Sequence, residues 1–206
     1  MNRLFAEIDL SHARRVITVG DIHGHYGLLI EALERVEYDA SAGDQLILLG
    51  DLFDRGPDVL EIYQWLVNNP EVLRVRGNHD DMLIAVCGLK PLDDYANPMT
   101  MMRNGGRWLL DYSRFKEAND LVVDVIQSTD EREMVQGAEN MFDAEIIDLD
   151  RILFNAPIAI RAKTPGGHMV GFVHAEVPTR DWPKFEAKLI DGSRRVAREA
   201  MWTGDR

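Results

Sequence analysis

The sequence predicts an α/β protein built from βαβ units around a largely parallel sheet. Two observations carry that prediction. The apolar runs Val16-Ile17-Thr18-Val19, Leu46-Ile47-Leu48-Leu49 and Val72-Leu73-Arg74-Val75 alternate with segments of helical periodicity. Each run leads directly into a block of glycines and metal-ligand residue types. The blocks are Gly20-Asp21-Ile22-His23-Gly24, Gly50-Asp51-Leu52-Phe53-Asp54-Arg55-Gly56 and Arg76-Gly77-Asn78-His79-Asp80. Open α/β sheets bind ligands outside the carboxyl ends of their strands. Three strand ends that each deliver Asp, His or Asn therefore point to one shared site.

The elements follow in order. A strand should cover Arg15 to Gly20, followed by a helix from His25 to about Glu37. That helix places Leu28, Leu29, Ala32, Leu33 and Val36 on one face. The next strand covers Gln45 to Gly50. Pro57 suits the first turn of the helix carrying Val59, Leu60, Ile62, Tyr63, Leu66 and Val67, which stops before Asn68-Asn69-Pro70. A third strand covers Val72 to Arg76. Lys90 to Pro98 reads as a loop and Met99 to Tyr112 as a helix. Further helices over Phe115 to Ile126 and Asp130 to Ile147 would complete a helical cap at about 90–150. Strands over Ala156 to Ala162 and His168 to His174 flank Lys163-Thr164-Pro165-Gly166-Gly167, the pattern of a hairpin. The sequence shows no domain linker, so residues 1–206 are read as a single domain.

Composition narrows the function classes. The 206 residues are 46% hydrophobic and 28% charged, enough for a substantial core. A formal net charge of −12 argues against generic nucleic-acid binding, which needs Lys and Arg for the phosphates. One cysteine, Cys87, excludes an internal disulfide framework; its apolar neighbours predict a buried thiol. No apolar run reaches the ~18 residues of a membrane span. The expectation is a cytoplasmic protein that binds neither nucleic acid nor membrane, of unassigned oligomeric state.

The blocks carry the chemistry. Asp21 and His23 lie two apart, so in extended backbone they face the same way. Asp51 and Asn78 leave neighbouring strand ends. Carboxylate, amide and imidazole donors suit manganese, iron or zinc, and a shared carboxylate can hold two ions ~3.5–4 Å apart. Taken singly each block is an ordinary turn or helix cap, and capping is the favoured role for Asp80 or Asp81. His25 reads as a helix-start residue. His12 reads as surface. His168 lies ~20 Å along the strand from His174, too far to share its site.

Together the blocks resemble those of the metallophosphoesterases, and more narrowly the phosphoprotein phosphatases of the bacteriophage lambda type and their small bacterial relatives. Met102-Arg103-Asn104-Gly105-Gly106-Arg107-Trp108 is similar to a family segment centred on Asn-Gly-Gly, and Val173-His174-Ala175-Glu176 to its His-Ala block. The likeness runs from Glu7 to about Trp202. It implies a calcineurin-like fold: two mixed sheets packed together, flanked by helices, with metals at the strand ends. It implies two divalent ions, manganese first and iron or zinc as alternatives. Asp21, His23 and Asp51 would hold one, and Asp51, Asn78 and His174 the other. A metal-bridging hydroxide would attack phosphoserine or phosphothreonine, with phosphotyrosine as a further candidate, in a protein or peptide substrate. Arg55 and Arg76 would clamp the phosphate. His79 would protonate the leaving oxygen, oriented by Asp54. Read bare, Arg55 could cap a turn and Arg76 could pair with a surface carboxylate.

The family pattern continues with a Gly-His-Thr segment whose His completes the second site, and with an Arg two residues after a Trp. Here the sequence ends Met201-Trp202-Thr203-Gly204-Asp205-Arg206. The expectation is a fold lacking its C-terminal strands, with a second metal held less firmly than the first. The rival readings are symmetrical diadenosine tetraphosphate hydrolysis and a weakly active or silent metal-binding module. In the former enzymes the second block typically reads Gly-Asp-Leu-Val-Ala-Arg-Gly, so Asp54 favours the phosphatase. The intact Asp54, Arg55, Arg76 and His79 argue against the silent module.

Overall fold

The computed structural model describes residues 4–86, 90–106, 108 and 152–202. Its elements run β1 (Phe5–Asp9), β2 (Arg15–Val19), α1 (Tyr26–Arg35), β3 (Asp44–Leu48), α2 (Val59–Asn68), β4 (Leu73–Arg74), α3 (Asn78–Val86), α4 (Pro98–Arg103), β5 (Ala159–Lys163), β6 (Met169–Val173), α5 (Trp182–Ile190) and α6 (Arg194–Met201). Among the described residues the strands form two three-stranded sheets. One is the parallel sheet β2-β3-β4. The other is the mixed sheet β1-β5-β6, with β1 parallel and β6 antiparallel to β5.

Alternation along the central strands builds the layers. Leu46 and Leu48 of β3 face one way, into a core shared with Leu29 and Leu33 of α1, Ile62 and Leu66 of α2, and Met82 and Leu83 of α3. Ile47 faces the other way, against Val75, Ile160 and Ala162, which fills the space between the sheets. On β5, Ile160 and Ala162 meet that inter-sheet core. Ala159 faces outward to Phe185 and Leu189 of α5 and Val196, Ala197 and Ala200 of α6. The order is therefore helices, sheet, sheet, helices. Leu46, Ile47 and Leu48 are fully enclosed because β3 is covered on both faces. Burial of each such side chain contributes ~1.5–3 kcal/mol.

Register then sets the site. Val19 pairs with Leu48 and Leu48 with Arg74, so the three parallel strands end level. The three blocks leave side by side as a result.

Several expectations need correction. The helix after the second block starts at Val59 with Asp58 as its cap, so Pro57 precedes the cap instead of opening the first turn. β4 pairs over two residues only. Beyond Val75 the chain turns to the other sheet, and the Arg76 N–H donates to the Pro157 carbonyl at 2.8 Å. The helix expected from Met99 is capped at Asn97, whose side chain accepts the Thr100 N–H, and it ends at Arg103. β1, α5 and α6 are additional elements. The hairpin expected around Pro165 is present as β5 and β6, closed by the Thr164 N–H donating to the His168 carbonyl. Cys87 and the helices expected over 115–126 and 130–147 lie outside the described residues. No helix among the described residues is long and apolar enough to cross a membrane.

One ion-pair cluster fixes the start of the parallel sheet. The enclosed Asp44 carboxylate accepts from the Arg14 guanidinium at 2.7 and 2.6 Å, from Arg15 at 3.0 and 2.9 Å, and from the Asp39 N–H at 2.9 Å. These bonds hold its pKa well below the ordinary carboxylate range, the Arg14 hydrogen bonds most of all. A folded pKa below the unfolded one stabilises the fold above the unfolded value of about 3.9 and loses that contribution as pH falls toward the folded value. Asp44→Asn should therefore lower the Tm at pH 7, and the gap from wild type should narrow in melts below about pH 4. A gap independent of pH would show that the charge is not the stabilising feature.

Candidate metal centre

The blocks form turns that ordinary residues adopt at a cost. Five non-glycine residues among those described have positive φ, and four of them are His23, Asp51, Asp54 and Arg55. Such backbone costs of order 1–3 kcal/mol per residue and persists only where surroundings over-determine it. Here the surroundings are backbone bonds between blocks. The Ile22 and His23 N–H groups donate to the Asp51 carbonyl, Gly24 N–H to the Leu52 carbonyl, and Gly56 N–H to the His23 carbonyl. The third block closes on the second. A Cβ at Gly77 would overlap the Asp51 carboxylate, and one at Gly50 would crowd the Gly77 backbone, so both positions require glycine.

Asp51 is the centre of a cluster of acceptors. Its Oδ2 lies 3.6 Å from His23 Nε2 and 3.5 Å from His174 Nε2. Each imidazole is oriented by a carbonyl, which can only accept. His23 Nδ1 donates to the Phe53 carbonyl at 3.3 Å, and His174 Nδ1 to the Leu49 carbonyl at 2.7 Å. With Nδ1 committed to a carbonyl, Nε2 of each ring is directed at the cluster. Asn78 Oδ1 lies 3.1 Å from His174 Nε2. The half-exposed Asp21 carboxylate reaches both imidazoles, 3.8 Å from His23 Nε2 and 3.9 Å from His174 Nδ1. The five residues expected as ligands, Asp21, His23, Asp51, Asn78 and His174, thus come together.

Facing acceptors fit a cation. Burial pushes the Asp51 carboxyl up to about 6, with the charge of the neighbouring Asp80 adding to the shift and that of His174 opposing it. Burial, then the Arg55 charge, lowers the His23 pKa and favours the neutral imidazole that metals bind. Carbonyl-oriented imidazoles beside a carboxylate are the usual supports of a metal site. His79 also approaches. One ligand atom each from His23, Asp51 and His79 lie within 4.8 Å of one another.

The Asp54 and His79 pair sits beside this cluster. His79 Nδ1 lies 2.8 Å from Asp54 Oδ2, and both side chains are buried. Arg55 bridges outward from the same turn, its Nη1 2.9 Å from His23 Nε2 and its Nη2 2.9 Å from His79 Nε2. The exposed Arg55 guanidinium therefore covers the acceptor cluster. Beside it, Asp21, His23, His25, Leu28, Leu29 and Arg55 line part of a cavity of about 420 Å³.

Three other residues depart from expectation. Arg76 is not presented at the surface. It is fully enclosed, donating to Asp81 Oδ1 at 3.2 Å and to the Phe154 carbonyl at 2.7 Å. The carboxylate it meets is buried, where the bare reading expected a surface one. Asp81 is correspondingly no simple cap, since it also accepts from the Leu92 and Asp93 N–H groups. Asp80 exceeds capping too. It accepts from Gly77, Asp51 and Leu52 N–H groups, linking two blocks. Burial raises its pKa, and these bonds oppose the rise. His25 is the α1 cap residue without a side-chain cap bond, and His12 is exposed. Sequence reasoning assigned no role to Trp108, whose Nε1 donates to Asp54 Oδ1 at 2.8 Å.

Comparison with known proteins agrees with this geometry. Residues 14–163 match the family model of the calcineurin-like phosphoesterases. A symmetrical bis(5'-nucleosyl)-tetraphosphatase of Coxiella burnetii is 40% identical over 92 residues, covering 44% of this chain and 31% of the relative. Serine/threonine-protein phosphatase 2 of Escherichia coli K12 is 33% identical over 121 residues, covering 58% of this chain and 52% of the relative. The chain thus spans about a third to a half of the length of these curated relatives. A solved protein serine/threonine phosphatase from Saccharomyces cerevisiae aligns with 14% identity and a TM-score of 0.42, covering 78% of this chain and 39% of that one. With the match spanning most of its length and the three blocks meeting at one site, the chain belongs to the calcineurin-like phosphoesterase family.

Proposed function

We propose that this protein is a metal-dependent phosphatase that hydrolyses phosphoserine and phosphothreonine esters in a protein or peptide. The observation that carries the reading is the buried Asp54–His79 bond beside the acceptor cluster. Asp21, His23, Asp51, Asn78 and His174 would hold the divalent ions, manganese first among them. When bound, such ions acidify water and offset phosphoryl charge.

The chain's own residues do the rest. A phosphate dianion competes for the Arg55 guanidinium, because charge-assisted bonds to oxyanions exceed those to neutral imidazole. Arg55 then leaves the two Nε2 atoms and turns to the phosphate. His79 Nε2, freed of that donor, can carry a proton. The Asp54 carboxylate holds Nδ1 at 2.8 Å and keeps Nε2 aimed at the leaving oxygen. As the phosphorus–oxygen bond to the leaving group breaks and one to water forms, the Nε2 proton passes to the seryl or threonyl oxygen. Arg76, enclosed against Asp81 and the Phe154 carbonyl, would anchor the third block.

The second reading is symmetrical diadenosine tetraphosphate hydrolysis, favoured by the identity to the Coxiella relative. A phosphoserine peptide and diadenosine tetraphosphate, assayed side by side with manganese, separate the two. Faster turnover of the peptide is expected; faster turnover of the dinucleotide would replace the first reading with the second. With phenyl phosphate, whose leaving group is poor, His79→Asn should lower kcat ~10²-fold, the scale of a lost general acid. Equal rates in variant and wild type would contradict the role. In calorimetric manganese titrations, Asp51→Ala should abolish binding at both sites and His174→Ala at one. Two tight sites surviving in Asp51→Ala would rule out the shared carboxylate.

A further inference from the structure

The Asn-Gly-Gly segment that the sequence singles out acquires a task from its contacts. The Arg55 N–H donates to the Gly105 carbonyl at 3.2 Å, and Arg55 Nε donates to the Asn104 carbonyl at 3.3 Å. A Cβ at Gly105 would strike the Arg55 side chain. Three residues after Gly105, the Trp108 indole donates to Asp54 Oδ1 at 2.8 Å, while Oδ2 of the same carboxylate holds His79 Nδ1 at 2.8 Å. The segment therefore grips the Asp54-Arg55 pair from outside the block, at two residues whose φ angles are +80° and +64°.

We propose that Trp108 is a positioning residue for proton donation by His79, acting through Asp54. The inference rests on the phosphatase reading above. An enclosed carboxylate with one oxygen left unpartnered would turn to seek a donor, since buried acceptors are costly to leave unsatisfied. The indole N–H fixes the plane of the Asp54 carboxylate, so that Oδ2 stays on the His79 ring. The imidazole then stands with Nε2 toward the phosphate. The 54-residue separation between Asp54 and Trp108 makes the contact tertiary, so it also couples the segment after α4 to the reacting geometry.

Trp108→Phe keeps an aromatic ring and removes the donor. A general acid matters more when the leaving group is poor, so phenyl phosphate and p-nitrophenyl phosphate report on it differently. The expected result is a kcat about tenfold lower on phenyl phosphate, the scale of one hydrogen bond to a charged group. The loss on p-nitrophenyl phosphate should be several-fold smaller, with KM unchanged. In an Asp54→Ala background, Trp108→Phe should add no further loss, because both act through one carboxylate. Equal losses on both esters that also add in full to Asp54→Ala would overturn the proposal and leave Trp108 as a packing residue.

A nitrogen-correlated proton spectrum tests the contact without turnover. The Trp108 indole signal, identified by its absence in Trp108→Phe, should move upfield in Asp54→Ala. An unmoved signal would overturn the proposal even if the enzyme is active. Wild type inert on both esters, together with a shifted indole signal, would sink the phosphatase reading while leaving the Trp108–Asp54 contact intact.

Discussion

The site depends on where two buried backbone N–H groups find their acceptor. Asp51 and Leu52 turn away from the end of β3, so their N–H groups have no strand to pair with. Both donate to the Asp80 carboxylate, at 3.0 and 3.1 Å. Asp51 returns the favour to the third block, its Oδ1 accepting the His79 N–H at 3.0 Å. Three crossed side chain to backbone bonds thus lock the β3 end to the start of α3. This lock sustains the left-handed backbone of Asp51, and it is why Gly77 must lack a side chain. Without it, Asp51 Oδ2 would not sit between two imidazoles.

The electrostatics follow from that placement. Lone pairs of Asp51, His23, His174 and Asn78 are gathered at one point, and burial, with the charge of Asp80 adding to it and that of His174 opposing, raises the Asp51 pKa. Arg55 answers part of that excess by resting on His23 and His79. The same guanidinium is also the group best placed to meet an oxyanion. In the proposed reaction this one cation would guard the acceptors in one state and bind the phosphate in another. Arg76, in contrast, directs its charge to Asp81 in the interior. Replacing a single partner of such a buried pair leaves an uncompensated charge, which is costly.

Much of this was legible in the sequence. The apolar runs before Asp21, Asp51 and Asn78 gave the strand ends, and the level register of β2, β3 and β4 brought the blocks together. His174 was legible because it closes a run flanking a Gly-Pro turn. What escaped notice depends on long-range contact. β1 pairs with β5 more than 150 residues away, for example Phe5 with Ala159, and five residues carry too little pattern to reveal it. The enclosure of Arg76 was not legible because the Phe154 carbonyl it meets lies 78 residues away. Trp108 reads as one more apolar residue, and its partner Asp54 lies on another block. α6 is the exception. Its Val196, Ala197, Ala200 and Met201 follow helical spacing and could have been read.

In the proposed function the acceptors around Asp51 hold divalent cations, and Arg55 leaves His23 and His79 for the bound phosphate. Anomalous diffraction from crystals grown with manganese and a phosphate analogue tests it most directly. Peaks flanking Asp51, in contact with His23 and His174, with the Arg55 guanidinium on the analogue, are the expected result. No anomalous density beside Asp51, with Arg55 still bridging His23 and His79, would contradict it.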